Sequence, residues 1–177
     1  MAELTNLESK LAEVLGLAMA AQGATDKVKS MLAADDDLTS ALQRMHDEAA
    51  ETEERCTTLA GEIEGKKTAI LDSARETKQE ASEMMQTYLG DEDDPLDGFE
   101  FLTMAEAGEV GHWSIVGKLN ERAGDARVGE LVDWALPIQQ RHFQDVPRRL
   151  AQARRRRGPE RDRGLATRRK FGRTSRA

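Results

Sequence analysis

The sequence predicts an all-α fold, a four-helix bundle with an additional connecting helix. Three observations predict it. Apolar residues recur with a helical period through most of residues 4–146. Aromatics make up only 4% of the chain and there are four prolines, whereas runs of Ala, Leu, Glu, Gln and Met, which lose little on entering a helix, are long. No segment alternates apolar and polar residues as a half-buried strand does. At 177 residues the chain suits one domain with a real core.

The elements follow in order. "LTNLESKLAEVLGLAMAAQ" places Leu4, Leu7, Leu11, Val14, Leu15 and Ala18 on one stripe, and "GATD" at 23–26 is expected to end it. A second helix is expected to begin after "DDD" at 35–37, whose carboxylates suit a helix N-terminus. Its stripe runs Leu38, Leu42, Met45, Ala49, Thr52, Cys56, Leu59, Ile63. "GKK" at 65–67 interrupts. "TAILDSARETKQEASEMMQTYL" then forms the connecting helix, with Ile70, Ala74, Ala81, Met84 and Tyr88 inward. "GDEDDPLDG" reads as an acidic breaker, and the third long helix spans about Phe99 to Ala123. "GD" at 124–125 caps it and starts the last helix, which carries Val128, Leu131, Ala135, Ile138, Phe143 and Val146 and is kinked at Pro137. Short connections favour antiparallel neighbours.

Composition excludes some classes and points to others. No stretch reaches the roughly 20 apolar residues of a transmembrane helix, and the start lacks the layout of a secretory signal. The single cysteine, Cys56, cannot form an internal disulfide, so a reducing, cytoplasmic setting is expected. It lies on an apolar stripe and reads as a buried, inert thiol. The methionines read as core fillers and His46 as a surface histidine. "DEDDP" at 91–95 lacks the EF-hand ligand pattern. No phosphate loop, dinucleotide turn or Ser/His/Asp set is present.

The chemistry lies in polar residues on faces that must be buried. In the third helix Leu102, Ala105, Trp113, Val116 and Leu119 define the apolar sector, with Glu109 near its centre and His112 to one side. In the fourth, Gln139 and His142 fall inside the sector. Glu109-x-x-His112 is thus matched by Gln139-x-x-His142, and an i, i+3 spacing puts both groups of each pair on one face. Glu8 on the first helix and Glu48 on the second sit at stripe edges; Glu51 is farther round. A buried carboxylate costs several kcal/mol unless it is paired, hydrogen-bonded or on a metal. Helix-bundle di-metal centres use Glu from two helices and Glu-x-x-His from two others. Oxygen and imidazole ligands suit iron or manganese, and zinc is admissible. A metal-free arrangement, Glu109 with His142 and His112 with Gln139, also satisfies these groups.

With these motifs in view, residues 4–146 resemble the ferritin-like superfamily, specifically the YciF-type bacterial stress-associated proteins. The resemblance rests on "NLESKLAEVLGLAMA", "EAAETEERCTTLAG", "GKKTAILDSARETKQEASEMM", "GEVGHWSIVGKLNERAG" and "ELVDWALPIQQRHFQDV", in that order and spacing. It implies a four-helix bundle with a di-iron or related metal site. Position by position, it implies Glu8 as the first-helix carboxylate, Glu51 as the Glu of a Glu-Thr pair, and His112 as the histidine of a "His-aromatic-Glu" run. Gln139 falls where a fourth-helix Glu is usual. Three departures stand out. Ser114 replaces the Glu after the aromatic residue, Gln139 is neutral, and Arg55 is spaced to pair with Glu51. Glu109 and His142 offer replacements. The expected metal set is therefore Glu8, Glu48, Glu51, Glu109, His112, Gln139 and His142.

Net charge is −7, but the chain is divided. Residues 1–147 hold 13 basic and 31 acidic residues, a balance of −18, whereas 148–177 hold 13 basic and 2 acidic, a balance of +11. The basic tail lacks the apolar content to fold alone and is expected to be disordered. It suits sequence-indifferent nucleic-acid contact or an acidic partner. Its abrupt onset at "VPRRL" is also what an out-of-frame extension of a GC-rich gene produces. The alternative function is thus a metal-free helical scaffold working by protein or nucleic-acid contacts, with a homodimer among its partners.

Overall fold

The computed structural model describes residues 3–32, 36–90 and 92–157. Five helices account for nearly all of them: α1 (Asn6–Ser30), α2 (Asp36–Glu62), α3 (Lys67–Leu89), α4 (Pro95–Ala123) and α5 (Ala126–Arg157). Among the described residues there is no strand, and no helix is long and apolar enough to cross a membrane.

Local chemistry sets most boundaries. Thr5 and Glu8 form a capping box at the start of α1: the Glu8 carboxylate accepts from the Thr5 backbone N–H at 2.7 Å, and the Thr5 hydroxyl accepts from Glu8 N–H at 3.3 Å. Asp94 caps α4 by accepting from Leu96 N–H at 2.8 Å, with Pro95 in the first turn. The acidic "breaker" is thus partly the opening of α4, which starts four residues before Phe99. Gly124, at φ 70°, ends α4 in the left-handed region. Asn120 and Asp125 exchange hydrogen bonds of 2.9 and 3.1 Å across that corner, so α5 turns straight back along α4.

Two expected ends are absent. "GATD" does not stop α1. The Thr25 hydroxyl donates to the Ala21 and Gln22 carbonyls, and Ala24, Thr25 and Val28 are buried, so tertiary packing holds the helix through Gly23. Likewise α5 runs through Pro137 and Pro147 to Arg157, with Leu150 packed on the core. The first ten residues of the basic tail are therefore helical rather than disordered; residues 158–177 lie outside the described part.

α1, α2, α5 and α4 form a ring in which every neighbouring pair touches. Cross-contacts give their directions. Lys29–Gln43 and Gln22–Glu53 make α2 antiparallel to α1, and His112–Glu13 with Gly98 against Val28 makes α4 antiparallel to α1. Glu62–Arg127 and Glu48–Arg141 set α5 antiparallel to α2. α3 lies along the outside of α1, carrying the chain back so that α4 runs the same way as α2. Gly16 permits this close approach: a Cβ there would lie 2.4 Å from the Ala74 carbonyl oxygen and 2.6 Å from Thr77 Cβ. On α3 only Ile70, Ala74 and Leu89 are fully buried. Met84 and Tyr88, expected inward, are exposed because α3 has one helix beneath it rather than three.

The core is divided in two. One apolar cluster gathers Leu11, Leu15, Cys56, Leu59, Trp113, Val116, Leu131 and Ala135. The other gathers Val28, Leu38, Leu42, Met45, Phe99, Leu102 and Val146. Along α2, α4 and α5, the residues between these clusters include the buried polar ones.

Candidate functional site

At mid-height, between the two clusters, α2 contributes Glu48 and Thr52, α4 contributes Glu106 and Glu109, and α5 contributes Gln139 and His142. Glu106, Glu109, Gln139 and His142 are 2%, 4%, 2% and 4% exposed. Their burial follows from register. Phe99, Leu102, Glu106, Glu109, Trp113 and Val116 advance in steps of three and four, a single inward seam in which two acids occupy apolar positions. On α5 the seam runs Leu131, Ala135, Gln139, His142, Val146.

His142 is the hub. Its Nε2 lies 2.5 Å from Glu48 Oε2, and its Nδ1 lies 3.5 Å from Glu106 Oε2, an ionic contact too long for a hydrogen bond. The other Glu48 oxygen accepts from Arg141 at 2.6 Å. Burial alone would lower the imidazole pKa, but the Glu106 and Glu48 carboxylates outweigh it and raise it above 6.5. Burial likewise pushes Glu48 upward, and His142 with Arg141 reverses that and holds its carboxyl below the usual range. Glu109 has no such help. Burial, followed by the charge of Glu106, holds its carboxyl well above 4.5. The buried Cys56 thiol is pushed up to about 12 by burial and by Glu109, as an inert thiol requires.

Three oxygens of this layer have no hydrogen-bond partner: Glu106 Oε2, Glu109 Oε2 and Gln139 Oε1. Buried polar atoms without partners cost on the order of 1–3 kcal/mol each, so these oxygens are where the layer can take a further donor or cation. Among the described residues no three acidic, imidazole or thiol side chains are drawn around one point at ligand distance. Glu48 and Glu106 lie instead on opposite ring nitrogens of His142.

Of the expected metal set, the structure brings together Glu48, Glu109, Gln139 and His142. It separates the other three. Glu8 belongs to the capping box and lies 3.8 Å from Lys66, at the bundle end. Glu51 is exposed, 2.7 Å from Arg55, whose guanidinium stacks 4.2 Å from the Trp134 ring centre. His112 is half-buried on the other flank of α4, 2.9 Å from Glu13 of α1. Neither metal-free pairing expected from the sequence forms: Glu106 rather than Glu109 faces His142, and Glu13 rather than Gln139 takes His112. Glu106 is the residue that sequence reasoning missed. Its signal was the three-four seam, which a sector drawn through Ala105 displaces by one residue.

Searches against protein-family models, curated proteins and solved structures find no match to this chain.

Proposed function

We propose that the chain is a ferritin-like bundle whose mid-height polar layer binds one divalent metal ion. The observation that carries this is the pair Glu106 and Glu109, adjacent, almost wholly buried and each with an oxygen that accepts no hydrogen bond. Two such carboxylates call for positive charge between them. Topology supports the fold: four ring-packed helices with a single long crossover, made by α3, match the ferritin-like arrangement. The place among stress-associated YciF-type proteins rests on the motif order described above.

In this reading Glu48, Glu106 and Glu109 are carboxylate ligands and His142 the imidazole ligand, with Gln139 a neutral oxygen donor. Glu8, Glu51 and His112 sit elsewhere, so the set is one carboxylate and one imidazole short of the four Glu and two His of a di-metal centre and suits one ion. Oxygen ligands with one imidazole favour iron or manganese. Holding an ion there would need an unprotonated ring nitrogen on His142 and an ionised Glu109, the two groups whose pKa values are raised, so uptake would release protons. Elemental analysis of the purified chain, followed by Mn2+ titration with proton counting, tests this. One ion per chain with proton release is expected; no bound metal under either condition rejects it.

A second reading has its own support. The Glu48–His142–Glu106 chain already pairs charges without metal, as a structural polar layer in a helical scaffold would. It predicts that His142→Ala destabilises the fold while wild-type protein takes up no metal.

A further inference from the structure

A second feature meets Glu109 from its other side. Between α1, α3 and α4 lies a cavity of about 190 Å3, lined by Glu109 but not by His142. It exists because three helices present small residues there, Ala21, Ala81 and Gly108, while Leu17, Met85 and Phe101 close its walls. Met84 and Met104, 52% and 39% exposed, stand where it meets solvent. An apolar cavity of about 150 Å3 takes up benzene, so this one holds a single ring or a short aliphatic chain.

Its lining is not purely apolar. Glu109 and His112 reach it from α4. His112 is engaged by Glu13 at 2.9 Å. Glu109 is 4% exposed, and its Oε2 has no partner. The Glu109 carboxyl is thus the acidic group on this wall, and the neighbouring Glu106 makes its surroundings more negative. An anionic ligand is repelled there. An alcohol supplies one hydrogen bond, and an ammonium supplies a hydrogen bond together with the missing charge.

We propose that this pocket binds a small hydrophobic amine, its apolar body against the Met, Ala and Phe walls and its ammonium on the Glu109 carboxyl. Such a site would let an organic cation reach the polar layer from the α1–α3 side.

The test uses the full chain stripped of metal with EDTA, so a negative result leaves the metal reading standing. Benzylamine, benzyl alcohol and benzoate are the probes, followed by calorimetry and by shifts in Tm. Benzylamine is expected to bind roughly ten-fold more tightly than benzyl alcohol, as a charge-assisted contact should, with no binding of benzoate. Glu109→Gln should erase the preference for the amine. Gly108→Leu, at a position where an added Cβ meets nothing within 4 Å, should fill the cavity and abolish binding of both probes in a folded protein. Equal affinity for amine and alcohol, an unchanged preference in Glu109→Gln, or no binding of benzylamine at millimolar concentration would each overturn the proposal.

Discussion

At the scale of single residues, the polar layer is a set of opposed titrations. Glu109 has a raised carboxyl pKa, so without metal it contributes fully below about pH 4.5 and its contribution is lost as pH rises toward its folded value. His142, raised above 6.5, contributes fully below that pH and loses its contribution as pH rises through the folded value. Glu48 has the reverse sign: its contribution is present above 4.5 and fades as pH falls through its lowered value. In EDTA, thermal stability should therefore decline on the alkaline side, and Glu109→Gln should flatten part of that decline. The substitution should raise Tm by a few degrees at pH 7.5 and change it little at pH 4, measured by circular dichroism. An equal gain at both pH values would mean that ionisation of Glu109 is not the cause. Some of this layer was legible in sequence. Glu109, Gln139 and His142 lie on apolar stripes, and burial follows. Glu8 lies apart from the layer, in the capping box that "TNLE" spells, because a stripe-edge carboxylate at a helix start satisfies two patterns at once. Glu51 and His112 also lie apart from it, because a helical wheel gives direction but not which neighbour waits there: Arg55, stacked on Trp134, pairs with one and Glu13 with the other.

At the scale of elements, the decisive contacts are those that small residues permit. Gly16 lets α3 lie close on α1, and Gly16→Ala drives a methyl into the Ala74 carbonyl and Thr77. Overpacking of this kind costs about 1–3 kcal/mol. Gly23 sits inside the same helix with nothing within 4 Å of an added Cβ, so Gly23→Ala should stabilise by about 1 kcal/mol, the helix-propensity difference. Urea unfolding of the two variants checks the contrast; if both destabilise, the α1–α3 packing described here is wrong. The same pair explains why boundaries were less legible than stripes. Gly23 looks like a stop in sequence, yet Ala24, Thr25 and Val28 are buried on its far side. Tertiary burial overrides a local propensity of this size. The α2 stripe, free of such conflicts, was read correctly from Leu38 to Leu59.

At the scale of the whole molecule, two apolar clusters hold the ends of a helical bundle and leave its middle to ionisable groups. An apolar middle would be the simpler solution for stability, since a buried charge pair is often no better than hydrophobic packing. The central claim is that this layer is completed by one divalent ion on Glu48, Glu106, Glu109 and His142. The most direct measurement is Mn2+ stoichiometry by elemental analysis in wild-type protein, in a Glu106→Ala/His142→Ala double variant, and in a Glu8→Ala/Glu51→Ala double variant. The account predicts one ion per chain in wild type, at least a ten-fold weaker affinity in the first variant, since changing even a hydrogen-bonded neighbour of a ligand costs that much, and no change in the second. Equal binding in all three proteins, or none in wild type, would contradict it.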